Sequence, residues 1–397
     1  MEENNKKQVN SPKKMKLKTA KRLKIVAVIF VILLLVIIGA AQIGGITFST
    51  VGDKISLAFS ELRSGAGYPY SINGAEVLDV GMSNSDLIIL YDDRVKILNS
   101  TAKEVSSISH KFDHPVINSN SGRILVYDAG GKEFFVQSKT RVLYEKKLDN
   151  IILTGAMGRD GSVAIASRAD GAESMLTVYD SHRKECFKWQ CSQEHIISCD
   201  VSDNGKSFAV SVMGTKNGSI YSKVYIFNIK KSEPVASFEY EDSAVSTVKF
   251  LSNETLIIMG NNVCEIINGN EVKEKIDVSI NTPYKLHISD NNIAILVLSK
   301  YSSTTQKIIN VYDKAGNQMF VKEIDGFVKS VATDGKYISV LTDSNVTIYD
   351  RKGEVTGKAS VNSDCEEVIV SGRNTYVYSL EEIERYNSIG DNEEEKK

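Results

Sequence analysis

The chain has 397 residues, of which 42% are hydrophobic and 8% aromatic, and its formal net charge is −2. This composition is typical of a globular protein and excludes a disordered or fibrous chain. Nine basic against two acidic residues give positions 1–24 a charge of +7, which leaves −9 for the remainder. An acidic remainder disfavours nucleic acid as a partner.

Residues 1–24 form a basic tail, and residues 25–43 form an uncharged apolar stretch. Nineteen helical residues are about 28 Å long, close to the thickness of a bilayer core. We therefore predict a transmembrane helix at 25–43, with the N-terminus in the cytoplasm and the rest of the chain outside the plasma membrane. A cleaved signal peptide is the alternative, because Gly39-Ala40-Ala41 resembles a cleavage site.

Residues 44–66 are predicted to be a juxtamembrane linker that contains a short helix. Apolar residues recur at helical spacing between Thr50 and Ser64, and Thr50 and Asp53 have capping-box-like spacing. We interpret this segment as an amphipathic spacer that packs on the following domain or lies on the membrane. Self-association is the alternative.

A pattern repeats about every 41 residues between residues 67 and 389. An aliphatic or aromatic residue followed by Asp, Asn or Gln closes each β-rich stretch, at Asn99, Gln137, Asp180, Asn228, Asn268, Asp313, Asp350 and Asn387. A second set of Asn, Asp and Gly turn signals lies out of phase with the first. Two turn signals per period predict a four-stranded β-propeller blade.

Eight inner strands are predicted, beginning near Glu76, Pro115, Ile151, His195, Ala244, Pro283, Phe327 and Cys365. The last blade lacks an outer strand, because residues 390–397 are predicted to be an acidic tail that is too charged to pair in a sheet. Residues 68–72 are predicted to supply that strand, where Pro69 is tolerated at an open edge. The predicted fold class is therefore all-β, an eight-bladed β-propeller at residues 67–389. A seven-bladed propeller is the alternative.

The cysteines do not indicate a disulfide framework, because their number is five. Cys186 and Cys191 would lie about 16 Å apart on one strand. Cys199, Cys264 and Cys365 lie in apolar strand segments, so buried free thiols are predicted. A long-range pair is the alternative.

No catalytic residue, cofactor or metal ligand is predicted from motifs. The five histidines are scattered, and no Gly-x-Ser-x-Gly, Walker loop or Cys-x-x-Cys occurs. Propeller enzymes assemble paired carboxylates from distant blades, so glycoside hydrolysis stays open as an alternative.

Acidic residues recur where one blade passes to the next, in seven of eight connections, with Asn281 in the remaining one. They are Glu76, Asp113, Asp149, Glu194, Asp242, Asp325 and Asp364. Because inner strands line the channel of a propeller, we predict a ring of carboxylates at one channel mouth that attracts a cation or a basic segment of a partner. Ordinary turn chemistry is the alternative.

Three repeats are longer than the others, and their excess lies between the second and third strands, at residues 168–174, 214–222 and 300–306. Insertions on one face of a repeat fold often form its binding surface. We therefore predict binding residues on the face away from the membrane, at Arg168, Lys216, Asn217, Lys300 and Tyr301. Tolerated surface variation is the alternative.

The strand endings Val178-Tyr179-Asp180, Val311-Tyr312-Asp313 and Ile348-Tyr349-Asp350 resemble those of WD40-type and quinoprotein-like propellers. Trp-Asp and Gly-His pairs are missing and the only tryptophan is Trp189, so the resemblance implies the fold and no cofactor. The whole layout, with Gly67-Tyr68-Pro69-Tyr70 before the repeats, is similar to a bacterial family of single-span membrane proteins of unknown function.

The tether and the missing catalytic groups favour a binding or scaffold module of the cell envelope. Its expected partner is an envelope protein or a cell-wall component. The alternative is an extracytoplasmic glycan-acting enzyme, a hydrolase or lyase with carboxylates at the channel.

Overall fold

The computed structural model describes residues 64–72, 76–289, 291–303 and 305–387. These residues form 32 strands in eight four-stranded antiparallel sheets, and no helix occurs among them. Each sheet is one blade of a ring, with strands a, b, c and d from the axis outward. The eight-bladed prediction is confirmed. The predicted basic tail, membrane span, linker helix and acidic tail lie outside the described residues.

The inner strands begin within two residues of the predicted positions. Blades 1 to 4 comprise, in the order a to d, β2 (Val77–Ser83), β3 (Asp86–Tyr91), β4 (Arg94–Leu98) and β5 (Glu104–Ser109); β6 (Pro115–Asn120), β7 (Arg123–Asp128), β8 (Glu133–Ser138) and β9 (Val142–Lys147); β10 (Ile152–Met157), β11 (Val163–Ala169), β12 (Ala172–Tyr179) and β13 (Glu185–Cys191); β14 (His195–Val201), β15 (Ser207–Lys216), β16 (Ser219–Asn228) and β17 (Ala236–Glu241).

Blades 5 to 8 comprise, in the same order, β18 (Val245–Phe250), β19 (Thr255–Gly260), β20 (Cys264–Asn268) and β21 (Glu271–Lys275); β22 (Asn281–Ile288), β23 (Ala294–Lys300), β24 (Gln306–Tyr312) and β25 (Gln318–Asp325); β26 (Val328–Thr333), β27 (Ile338–Thr342), β28 (Asn345–Tyr349) and β29 (Val355–Ser360); β30 (Cys365–Ser371), β31 (Asn374–Ser379), β32 (Glu382–Asn387) and β1 (Tyr70–Ser71).

In several blades, the residue that closes strand c stabilises the turn that follows by accepting hydrogen bonds from its backbone. Asp180, Asp313 and Asp350 each accept two backbone N–H groups through one side-chain oxygen, at 2.8–2.9 Å. Asn99 accepts two at 2.9 and 3.0 Å. The repeated motif therefore encodes the c–d turn. Gln137 is an exception, because it is fully buried and neither side-chain amide atom has a hydrogen-bond partner.

Strand β1 completes blade 8, as the sequence predicts. Tyr70 lies opposite Ile383 and Ser71 lies opposite Glu382. Ile72, which follows β1, is buried in the hydrophobic core that blades 8 and 1 share. The ring is thus closed by strands from both ends of the propeller, and the edge of β32 is covered.

The core lies between neighbouring blades rather than inside one sheet. Strand b is the most buried strand, because adjacent blades cover both of its faces, and every residue of β3 is buried. All five cysteines are free; four are buried and Cys186 is half-buried. The prediction of free thiols is confirmed, and the long-range pair is wrong.

Both described ends of the propeller lie on the same face. The Gly67 amide donates to the Thr101 carbonyl oxygen in the c–d turn of blade 1, at 3.1 Å. Asn387 lies opposite Asn374, at the start of strand b of blade 8. We call this face, made of a–b and c–d turns, the termini face. The opposite face, made of b–c turns and d–a connections, is called the far face.

Candidate functional site

The two faces of the propeller carry opposite charge. In the described residues, the turns and connections of the far face contain twelve carboxylates against two lysines, Lys111 and Lys132. The turns of the termini face contain nine carboxylates against fourteen Lys and Arg. The balances are therefore −10 and +5, separated by strands about 20 Å long. Such a distribution places a strong dipole along the channel axis.

The predicted acidic residues lie at or beside the d–a connections of the far face. Six of the seven are exposed: Glu76, Asp113, Asp149, Asp242, Asp325 and Asp364. Asn281, in the remaining connection, is half-buried and its Oδ1 atom has no hydrogen-bond partner. These positions add to the acidity of the far face.

Glu194 departs from the predicted ring. Its Oε1 atom accepts a hydrogen bond from Tyr221 at 3.0 Å and lies 3.7 Å from Lys223 Nζ. The Cys191 thiol donates to its Oε2 atom at 3.3 Å. These partners lie on strand c of blade 4 and strand d of blade 3, away from the axis. Polar partners therefore hold this buried carboxylate between blades 3 and 4.

Of the five predicted loop residues, Asn217 and Tyr301 lie in b–c turns of the far face, and the other three lie at the ends of the flanking b strands: Arg168, Lys216 and Lys300. Two of the three insertions are not loops. Residues 168–174 and 214–222 extend strands b and c, with Lys216 paired to Ser219 around an Asn217–Gly218 turn. Asn217 and Gly218 have φ of 55° and 84°, which suits a two-residue hairpin. Residues 301–303 and 305, by contrast, lie outside strands b and c, and Tyr301 is 65% exposed.

Exposed apolar side chains concentrate on the far face. Of eleven large hydrophobic residues that are exposed in the described part of the chain, eight lie at its turns or at the adjoining strand ends. These eight are Leu78, Ile197, Ile220, Ile280, Tyr284, Tyr301, Phe327 and Leu380. The far face therefore combines apolar side chains with an acidic surround.

A repeated β-bulge exposes part of this apolar set. Strand a contains one unpaired residue near its start in seven blades, and blade 2 has none. The unpaired residues are Leu78, Leu153, Ile197, Ser246, Tyr284, Lys329 and Glu366. A bulge re-aims a side chain without ending the sheet. At the channel mouth of the far face, four of these seven residues are thus apolar or aromatic.

Tyr284 and Phe327 form an aromatic pair between blades 6 and 7. Their ring centroids are 6.3 Å apart in an edge arrangement, and Lys307 Nζ lies 4.2 Å from the Tyr284 centroid. Burial lowers the pKa of Lys307. Exposed aromatic side chains held in this way resemble the anchors that are enriched in protein–protein interfaces.

The other end of the channel contains a cavity of about 430 Å³ that opens among the a–b turns. Asp79 of blade 1, Glu367 of blade 8 and Lys285 of blade 6 line it. Lys285 Nζ donates to the Lys329 carbonyl oxygen at 3.0 Å. A neighbouring cavity of about 300 Å³ is lined by Asp79 and by the Asp200–Lys249 ion pair. These charged residues come from distant repeats.

The cavity stabilises the neutral forms of its acids. Burial raises the pKa of Asp79 to about 6, although Lys285 opposes the shift. Burial, followed by repulsion from Asp79, raises the pKa of Glu367 to about 7. Burial and Lys285 lower the pKa of His287 to about 4, and its Nε2 accepts the Thr333 amide at 3.4 Å. The cavity can therefore hold a proton near neutral pH.

Sequence reasoning missed these channel residues. The available signal was a charged residue inside an apolar inner strand, as at Asp79, Lys249 and Lys285. In the described residues, no group of three or more His, Cys, Asp or Glu side chains is arranged to hold a metal ion. That part of the chain also contains no helix with the length and hydropathy of a membrane span.

A family profile matches residues 72–385, which is most of the chain and nearly the whole propeller. The chain belongs to the DUF5711 family, a family of unknown function. No curated protein matches its sequence. This family assignment therefore does not indicate an activity for the propeller.

Solved structures similar to the DUF5711 chain include WD40-type propellers. The C-terminal WD40 domain of Sif2 is 14% identical with a TM-score of 0.55, covering 81% of this chain and 99% of that one. A eukaryotic initiation factor is 10% identical with a TM-score of 0.56, covering 84% and 90%. Sqt1 of Saccharomyces cerevisiae is 10% identical with a TM-score of 0.55, covering 82% and 100%. These similarities confirm the WD40-like fold and nothing further.

Proposed function

We propose that this DUF5711 chain is a membrane-anchored, extracytoplasmic β-propeller that acts as a binding or scaffold module of the cell envelope. The far face provides the main support for this proposal, because eight of the eleven exposed large apolar side chains of the described residues lie there. The partner is an envelope protein or a cell-wall component that contacts this face. The membrane remains a partner through the predicted span at 25–43.

The make-up of the far face suits a protein–protein interface. Interfaces place aromatic and aliphatic anchors in the centre and a polar rim around them. Tyr284, Phe327 and Ile197 lie near the channel mouth, whereas Tyr301 and Leu380 lie on b–c turns. Both described ends of the propeller lie on the termini face. A membrane tether that joins the propeller there leaves the far face accessible to a partner.

The anchor is tested on the full chain in its own membranes. Alkaline carbonate should leave the protein in the pellet, and externally added protease should degrade the propeller while sparing an epitope at residues 1–24. Extraction into the supernatant would show that the anchor is cleaved or absent. Protection of the propeller in intact cells would refute the extracytoplasmic location.

The partner surface is tested by crosslinking and affinity purification of the full chain from its own cells. One variant changes three exposed far-face residues to Ser: Ile220, Tyr301 and Leu380. A matched control changes three residues of similar exposure outside the far face: Val142, Val321 and Val355. We expect the first variant alone to lose crosslinked partners. Equal loss in both variants, or in neither, would contradict the proposal.

The channel cavity favours one second candidate, a glycan-acting enzyme. Glu367 holds its proton near neutral pH, as a general acid must, and Asp79 supplies a second carboxylate. Purified full chain is incubated with cell-wall glycans, and the products are separated by mass spectrometry. Products that vanish with Glu367→Gln and persist with Glu366→Gln would support this function. Intact glycans in every sample would refute it.

A further inference from the structure

The outer rim of the termini face is basic. Its c–d turns carry ten Lys and Arg against five carboxylates, whereas the a–b turns near the axis carry four of each in the described residues. Eight of the ten basic residues are exposed: Lys103, Arg183, Lys184, Lys230, Lys231, Lys314, Arg351 and Lys352. The positive charge therefore surrounds the face and leaves the channel mouth close to neutral.

Most carboxylates of this rim are engaged in holding turns. Asp180, Asp313 and Asp350 each hold two backbone N–H groups through one oxygen. Lys230 and Lys231 are exposed, and their turn contains only Glu233 as an acidic residue. The rim thus presents several positive side chains to any nearby charged surface.

We propose that this basic rim docks on anionic lipid headgroups, so that the acidic far face points away from the bilayer. The inference rests on the proposed function, because the anchor holds the propeller near the membrane. Residues 44–63 separate the predicted span from the first described residue, and twenty extended residues reach about 70 Å at most. This tether gives the rim a high effective concentration at the lipid surface.

Electrostatics favours one orientation over the other. Lys and Arg side chains gain energy within a Debye length of an anionic leaflet, about 10 Å at 0.1 M salt. The far face, with a balance of −10 in its turns, is repelled by the same leaflet. A lipid surface fits better than a soluble polyanion, because the chain enters the propeller on the basic face.

The experiment uses full chain in nanodiscs of phosphatidylcholine, either alone or with one quarter phosphatidylglycerol. Asn270, an exposed uncharged residue of a c–d turn, is changed to Cys in a Cys186→Ser background and labelled with a fluorophore. A second sample carries the label at Ser219→Cys on the far face. Energy transfer to a headgroup-labelled lipid reports the distance of each face from the bilayer.

We expect roughly twofold or greater transfer from the Asn270 position in anionic over neutral nanodiscs at 50 mM salt, and loss of the difference at 1 M salt. A charge-reversal variant changes four rim residues to Glu: Lys230, Lys231, Arg351 and Lys352. The control changes four far-face residues to Glu: Lys111, Lys132, Arg168 and Lys216. Both carry the same net charge, and only the rim variant should lose the response.

Equal transfer in the two nanodiscs, or a stronger response at Ser219, would overturn the proposal. Added long-chain polyphosphate provides a further arm, and rim-dependent binding to it without a lipid response would assign the rim to soluble polyanions instead. Failure of the chain to incorporate into nanodiscs would refute the membrane anchor. Incorporation without a lipid response would refute only the docking.

Discussion

Glu367 provides the most direct test of the channel, through the pH dependence of stability. Its pKa is raised from 4.5 to about 7 in the folded protein, chiefly by burial. Below pH 4.5 the carboxyl is protonated in both the folded and unfolded states. Above pH 7 the folded protein must carry a buried charge, so the free energy of unfolding falls as pH rises between these values.

The size of the effect follows from the shift. About 2.5 pKa units correspond to at most about 3 kcal/mol. Because the Glu367 side chain reaches channel water, we expect its ionisation to lower the free energy of unfolding by about 2 kcal/mol. Glu367→Gln removes the titrating group and also relieves the repulsion on Asp79. The variant should therefore be more stable than the wild type at pH 8 and close to it at pH 5.

Thermal unfolding at pH 5 and pH 8 measures this difference. At roughly 2 °C per kcal/mol for a domain of this size, Glu367→Gln should raise the midpoint at pH 8 by about 4 °C. Its exposed neighbour Glu366 provides the control, and Glu366→Gln should change the pH dependence far less, because repulsion from Glu366 is the smallest of the causes that shift the pKa of Glu367. An equal decrease in midpoint from pH 5 to pH 8 in wild type and Glu367→Gln would refute the reasoning.

Three further predictions concern single features of the fold and of the far face. Gln137→Met should raise the unfolding midpoint by a few degrees, because it removes a fully buried amide that has no hydrogen-bond partner; a lower midpoint would contradict this. Asp350→Ala should cost about 1 kcal/mol in a denaturant titration, because two turn N–H groups lose their acceptor, whereas an unchanged value would show that water replaces it. Changing Asp113, Asp149 and Asp242 together to Asn should weaken partner binding and flatten its salt dependence, as measured by binding at 50 and 300 mM salt; a single change should do little.

Turn chemistry explains why the blades could be predicted from the sequence. Asp180 and Asp350 close strand c because their side chains hold the next turn, so Asp or Asn recurs at this position in every blade except blade 2, where Gln137 stands. The sequence also indicates that the C-terminal segment does not supply the outer strand of blade 8, since residues 390–397 are too charged to pair in a sheet. Closure by residues 68–72 then followed from the count of strands, and the structure pairs Tyr70 and Ser71 of this segment with β32.

Contacts between blades could not be predicted in the same way. A period of about 41 residues aligns equivalent positions, but it does not say which side chain a neighbouring blade offers. Glu194 follows the repeat in sequence and is nevertheless held by Tyr221 and Lys223 on the next blade. Asp79 and Glu367 meet in the channel from opposite ends of the sequence. The bulge in strand a adds one residue that no turn signal reveals.

Acidic turn residues alone do not account for the polarity of the propeller. Turns favour Asp and Asn on any face, and the turns and connections of the described residues contain similar numbers of carboxylates, twelve on the far face and nine on the termini face. In the same turns and connections the numbers of Lys and Arg differ far more, with two on the far face and fourteen on the termini face. No turn geometry requires this division, because long basic side chains fit either face equally well. The polarity thus arises from where basic residues are placed, which favours an anionic surface beside the termini face as its physical reason.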